Sequence, residues 1–250
     1  MDKIKFGLKL WSTTGRELIR QAEELISDGI FSYVELMPVP GDNTLIFEKV
    51  KIPYILHIPH NAFGFNIGEK NSWDLSFEII KQSINLADRI SAKYMILHPG
   101  YGKMQVTQEF LENINDRRIL IENMPFAGDN NEKMIGYNQE QIGNLKKNKF
   151  GFCLDFGHAV KASMDLGEEP KEFIKKFLAL EPKIFHLSDG TFSKGPDEHL
   201  NIGDGEYDFK FFLDCIKEND FKFVTLETPK DKNSLANDIK NLIKIKQYIL

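Results

Sequence analysis

The chain has 250 residues and a net charge of −5, a length that allows one large domain or two small ones with a substantial core. No apolar run approaches the roughly 18 residues of a bilayer span. The acidic balance speaks against a broad basic surface for nucleic acid, unless bound cations offset the carboxylates.

The N-terminal "MDKIKFGLKLW" enters a strand pattern with no apolar leader or small-residue cleavage site, so no signal peptide is read and a cytoplasmic location is expected. Cys153 and Cys215 lie far apart and form no CxxC, as expected of reduced thiols that fill space. "IKFGLKLW" is the first strand. Leu18, Ala22 and Leu25 then share a helical face with Gly29 as the stop. "YVELM" follows, then a short helix over 45–50. "PYILHI" leads through a loop to a long helix with Phe77, Ile80, Ile84 and Ala87 on one stripe. "KYMILH" precedes a helix over 106–115, "RILIEN" one over 138–147, and "FGFCLD" one over 171–180. "KIFHLSD" runs into a long Gly-rich loop before a helix that turns Phe209, Phe212, Leu213 and Ile216 inward. "FKFVTLE" closes the series ahead of a helix carrying Leu235, Ile239 and Leu242.

Eight strand–helix units with continuously apolar strands predict an α/β fold, a single (β/α)8 TIM barrel over residues 1–250. The rival is an open doubly wound sheet, which wants fewer strands and a glycine-rich first turn; "WSTTGRE" is a poor version of that turn.

Barrel enzymes carry their chemistry at the C-terminal ends of the strands. Those ends hold His60, His98, Glu122, Asp155 with His158, His186, then Asp197 and His199 in the following loop, and Glu227. Five of the six histidines fall there, and no predicted helix carries one. A lone strand-end histidine is more often structural, and a lone Asp or Glu there more often an N-cap. Nine such groups converging on one barrel mouth would repel and desolvate each other without cations. Mixed nitrogen and oxygen donors suit zinc, with manganese and iron as rivals. His57, inside its strand, is read as a core histidine or one that supports a ligand. Gly203 and Gly205 in "NIGDGEYD" offer amides that could approach a phosphate, although a glycine loop is more often a turn.

"IPHNAFGFNIG", "ILHPGY", "LIENMP", "CLDFGHA", "FHLSDG", "PDEHLNIGDGEYD" and "LETP" occur in that order. Together they resemble the metal motifs of endonuclease IV, apurinic/apyrimidinic endonuclease family 2, within the xylose-isomerase-like barrels. The resemblance implies three zinc ions: one on His60, His98 and Glu122, a second sharing Glu122 and adding Asp155, His186 and Glu227, and a third on His158, Asp197 and His199. It implies phosphodiester hydrolysis of abasic or damaged DNA by hydroxide attack on phosphorus, with Glu122, Asp155 and Glu227 as the catalytic carboxylates. Trp11, Phe63 and Asn66 would contact substrate. No membrane and no protein partner are implied, and a monomer is expected. The family's histidine-serine entry and penetrating arginine are missing from the first two loops, "LWSTTG" and "PVPGDN", and Gly64 stands where a wedge would be. The alternative is a sugar isomerase or epimerase of the same superfamily, which needs one metal on Glu122, Asp155, His186 and Glu227.

Overall fold

The computed structural model describes residues 4–147 and 149–249. Eight parallel strands run in sequence order: Lys5–Trp11 (β1), Tyr33–Met37 (β2), Tyr54–His57 (β3), Met95–Leu97 (β4), Ile119–Glu122 (β5), Gly151–Asp155 (β6), Ile184–Leu187 (β7) and Phe223–Leu226 (β8). Each pairs with the next, and β8 returns to β1 with Gly7 opposite Thr225, so the sheet closes as a (β/α)8 barrel. Helices Arg16–Ser27 (α1), Leu45–Lys49 (α2), Trp73–Arg89 (α3), Met104–Glu112 (α4) and Gln139–Lys146 (α5) follow the first five strands. Phe156–Leu166 (α6) and Pro170–Leu178 (α7) follow β6, Phe209–Glu218 (α8) follows β7, and Ala236–Gln247 (α9) follows β8. Because helices cover the outside and side chains fill the inside, all five residues of β2 are buried, and so are all five of β6. Among the described residues, no helix is long and apolar enough to cross a membrane.

Two boundaries differ from expectation. α4 begins before 106 and ends before 115. More consequentially, "FGHAVKASMDL" is a helix, α6, that starts at once after β6. Asp155 Oδ1 accepts from the His158 amide at 2.7 Å, so the last residue of the strand is also the N-cap of the helix. Gly167, with φ of 70°, ends it. His158 therefore does lie on a helix, in its first turn, against the expectation that none would.

The barrel interior is layered by the two-residue alternation of strands. Tyr33, Ile55, Ile96, Leu120, Cys153 and Ile184 form one closed apolar cluster, with Phe223 and Tyr94 packed against it. Gly7 leaves room for the Tyr33 ring, since a Cβ there would sit 2.2 Å from it. Two residues further along the same strands come Lys9, Glu35, His57, His98, Glu122, Asp155, His186 and Thr225. Of these, all but His98 are counted among the buried polar groups.

Candidate metal centre

The strands deliver most of the expected site residues to one place. Glu122 ends β5, Asp155 ends β6, His186 lies in β7, and His98 and Glu227 immediately follow β4 and β8. His158 enters from α6, and Asp197 and His199 from the β7–α8 loop. Glu122 is the hub. Its Oε2 lies 2.9 Å from His98 Nε2, and its Oε1 lies 2.9 Å from His186 Nδ1 and 3.6 Å from His158 Nδ1. His186 Nδ1 also faces Glu227 Oε1 at 3.3 Å and Asp155 Oδ2 at 3.9 Å. His158 donates from Nδ1 to the Asn123 carbonyl at 2.8 Å, which leaves Nε2 toward Asp197 Oδ2 at 4.0 Å. Asp197 Oδ2 in turn is 3.1 Å from His199 Nδ1.

Several overlapping donor groups are each compact enough to share one ion, among them His57 with His98 and Glu122, Glu122 with Asp155 and His158, Glu122 with Cys153 and His186, Glu35 with His57 and Glu227, and His158 with Asp197 and His199. His57 thus stands in a ligand-sized group that the sequence reading left it out of. Its Nδ1 donates to the Ile58 carbonyl at 3.0 Å, and its Nε2 faces Glu122 Oε2 at 3.5 Å. His60, just beyond β3, stacks on His98 with ring centroids 5.5 Å apart and sends Nδ1 to Asn61 Oδ1 at 3.1 Å.

The charges are tightly confined. Against burial, His186 and His98 hold the Glu122 carboxyl well below its usual range. Burial keeps the Asp155 carboxyl up at about 6, with Asp197 and Glu122 adding to it while His158 opposes. Burial is outweighed at His158, which Asp155, Glu122 and Asp197 raise to about 9. At His98 burial wins and presses the imidazole down to about 3, the form that offers a lone pair. No well-directed hydrogen bond reaches Glu122 Oε2, Asp155 Oδ2, either Asp197 oxygen or His199 Nδ1, although His98 Nε2 lies 2.9 Å from the first and His199 Nδ1 lies 3.1 Å from Asp197 Oδ2. Unsatisfied carboxylate oxygens at that depth are costly. Here they face one another with imidazole nitrogens among them, and divalent cations would satisfy that donor set.

The floor carries two charged residues that the sequence reading missed. Lys9 Nζ donates to Glu35 Oε1 at 2.7 Å and to Glu227 Oε1 at 2.5 Å. Glu35 is fully buried, and against that burial His186 and Lys9 bring its carboxyl down to about 2. The signal was present: a lysine and a glutamate inside apolar strand runs are almost never buried unless paired.

Above the cluster lies a cavity of ≈510 Å³ with Trp11, Met37, Met124, Pro125 and Lys230 on its walls. Trp11, expected to contact substrate, lines this cavity. Phe63 stands beside His60 at a ring distance of 5.5 Å and is half-buried. Asn66 is misplaced for substrate contact. It is 3 % exposed, and its Oδ1 accepts from the Gly68 and Tyr101 amides at 3.1 Å each, so it shapes the loop instead. The phosphate reading of the glycine loop fails in the same way. The Gly203 and Gly205 amides donate to buried Asp189 Oδ2 at 2.8 and 3.0 Å, which leaves neither for a ligand.

The β7–α8 loop is pinned to α6 by Lys161, 1 % exposed, whose Nζ reaches Glu198 Oε2 at 2.8 Å and Ser193 Oγ at 3.0 Å. Glu198 separates Asp197 from His199, and His199 adopts a left-handed φ of 47°. Such backbone in a non-glycine residue persists where its surroundings hold it, often at functional sites.

Residues 46–245 match the family described as Xylose isomerase-like TIM barrel. The chain is similar to a protein of Mycoplasmopsis synoviae named probable endonuclease 4, at 30% identity over 78% of this chain and 77% of that one. The fold is shared with endonuclease IV from Thermus thermophilus at a TM-score of 0.72 and 19% identity, covering 98% of each chain. It is shared equally with a D-tagatose 3-epimerase-like protein, at a TM-score of 0.72 and 22% identity over 98% of this chain and 97% of that one.

Proposed function

Since the chain belongs to the xylose isomerase-like TIM barrel family, we propose that it is a zinc-dependent phosphodiesterase of the endonuclease IV type, cleaving the DNA backbone at abasic sites. The observation that carries this reading is the His158–Asp197–His199 group, whose donor atoms converge, with Asp197 Oδ2 3.1 Å from His199 Nδ1, while neither Asp197 oxygen accepts a hydrogen bond. A one-metal isomerase using Glu122, Asp155, His186 and Glu227 has no use for it. His60, His98 and Glu122 would hold one ion, with His57 beside them. Asp155, His186 and Glu227 would hold a second with Glu122, and the His158 group a third.

Bound zinc would supply Lewis acidity and water acidified to a pKa of about 7, which dispenses with a protein nucleophile. The residues of the chain hold the donors in place and present a closed, polar floor to the scissile phosphate. Lys9 is the fixed cation of that floor, beside Glu227. The similarity to the probable endonuclease 4 supports the hydrolase over other uses of the fold.

A second reading, a sugar epimerase or isomerase, is favoured by one observation. The β1 and β2 sides of the mouth carry the Lys9–Glu35 pair and no duplex-opening arginine, and a deep polar floor also suits a small polyol. The test joins metal content to cleavage. Protein purified without chelator should contain close to three divalent ions per chain and should nick an abasic-site duplex. One ion per chain with turnover of a sugar, and no cleavage of the duplex or of a small phosphodiester, would reverse the order of the two readings.

A further inference from the structure

Glu35 belongs to none of the proposed ligand sets, yet both its oxygens are engaged. Oε1 accepts from Lys9 Nζ at 2.7 Å, and Oε2 accepts from Thr225 Oγ1 at 2.5 Å. Thr225 is itself 2.9 Å from the Tyr33 hydroxyl, so the carboxylate is braced from below. The same Oε2 lies 3.0 Å from His186 Nε2. The other nitrogen of that ring, Nδ1, faces Glu122, Glu227 and Asp155 at 2.9, 3.3 and 3.9 Å.

A neutral imidazole has one donor and one acceptor nitrogen. For Nδ1 to bind a cation among three carboxylates, the proton must sit on Nε2. An ionised carboxylate only accepts, so it holds a proton on the nitrogen it faces. We propose that Glu35 is a positioning residue of the metal centre: its hydrogen bond from His186 Nε2–H fixes the tautomer and tilt of the ring, aiming the Nδ1 lone pair where Glu122, Asp155 and Glu227 converge. Lys9 completes the device. A lone carboxylate in this lumen would be strongly disfavoured, and the lysine from the adjacent strand keeps Glu35 charged and therefore acceptor-only. The inference rests on reading the cluster as a metal centre.

Zinc alone serves as the probe. Nitrogen-15-labelled protein is stripped by chelator and titrated with zinc, and the His186 resonances are identified by their loss in His186→Gln. In the zinc-loaded wild type, the two-bond proton–nitrogen pattern should place the ring proton on Nε2, slow to exchange. Glu35→Gln keeps an acceptor oxygen and should retain the signal. Glu35→Leu combined with Lys9→Met removes both buried charges together and should lose that protection, with zinc held about 10–100-fold more weakly. A folded double variant, by circular dichroism, that binds zinc as tightly as wild type overturns the proposal. A wild-type proton on Nδ1 overturns it too, whether or not the variant folds. If the His186 resonances of the wild type ignore zinc, the metal-centre reading falls first and takes this inference with it.

Discussion

The lower and upper layers of the barrel lumen come from the same strands, two residues apart, and follow opposite rules. Below, Tyr33, Ile55, Ile96, Leu120, Cys153 and Ile184 close an apolar plug. Above, Glu35, His57, His98, Glu122, Asp155 and His186 bring ionisable groups together, two of them, Glu122 and Asp155, with one oxygen that accepts no hydrogen bond. The lower layer contributes burial, about 25 cal/mol per Å² of apolar surface. The upper layer works against stability wherever its charges lack a counter-ion. The contrast separates what holds the barrel shut from the groups that form its candidate site. The pleat makes that separation sharp, because one step of two residues changes the layer without changing the strand.

The separation can be tested from both sides. In the lower layer, Leu120→Ala removes a fully buried side chain and should cost about 2–5 kcal/mol in denaturant unfolding. The folded fraction should still bind its full complement of metal. If metal affinity falls in step with stability, the layers are one cooperative unit and the division is wrong. In the upper layer, Glu122→Gln should lower phosphodiester cleavage by at least about 10–100-fold. Its melting temperature in chelator at neutral pH should fall, since His186 and His98 hold the Glu122 carboxylate ionised against burial and the amide takes that anion from both rings.

Two smaller effects probe the rim. Lys161→Met frees the β7–α8 loop from α6, and the ion nearest His199 should bind about tenfold more weakly, as expected for one charged hydrogen bond of roughly 1.5 kcal/mol. Zinc titration in competition with a chromophoric chelator reads this, and uniform weakening of every ion would argue for a general loss of structure. The smallest effect belongs to Phe63→Ala, which should reduce abasic-duplex cleavage more than hydrolysis of bis-nitrophenyl phosphate, because a duplex must be held open against base stacking whereas the small diester enters without that cost. Equal losses on both substrates would place Phe63 in support of His60.

Much of this was legible because strand ends are readable. An apolar run that stops on Glu122 or Asp155 announces a boundary and marks a candidate site residue. α6 was not legible, because Asp155 was read as the end of a strand when it is also the cap of the next helix. Lys9 and Glu35 were hidden for a different reason. Each sits inside an apolar run, and the sequence alone does not say that strands 1 and 2 put them side by side, opposite Glu227 from the far end of the chain. Asn66 and the Gly203 and Gly205 amides misled in the reverse direction, since polar groups near a site look like ligand contacts until their partners are seen. Local pattern gives position along a strand, whereas pairing across the barrel is set by closure.

Closure of β8 onto β1 also has a consequence in time. Lys9 and Glu227 are 218 positions apart, so during synthesis the lysine emerges long before either the glutamate or the ring of strands that shelters both. Until the last strand docks, Lys9 has Glu35 for company, and His186 lacks one of the three carboxylates around its Nδ1. Contacts this distant in sequence slow folding, and this one joins the two ends of the barrel. The floor of the site is thus among the last parts of the chain to be completed, and no shortened product that stops before β8 should show even partial activity.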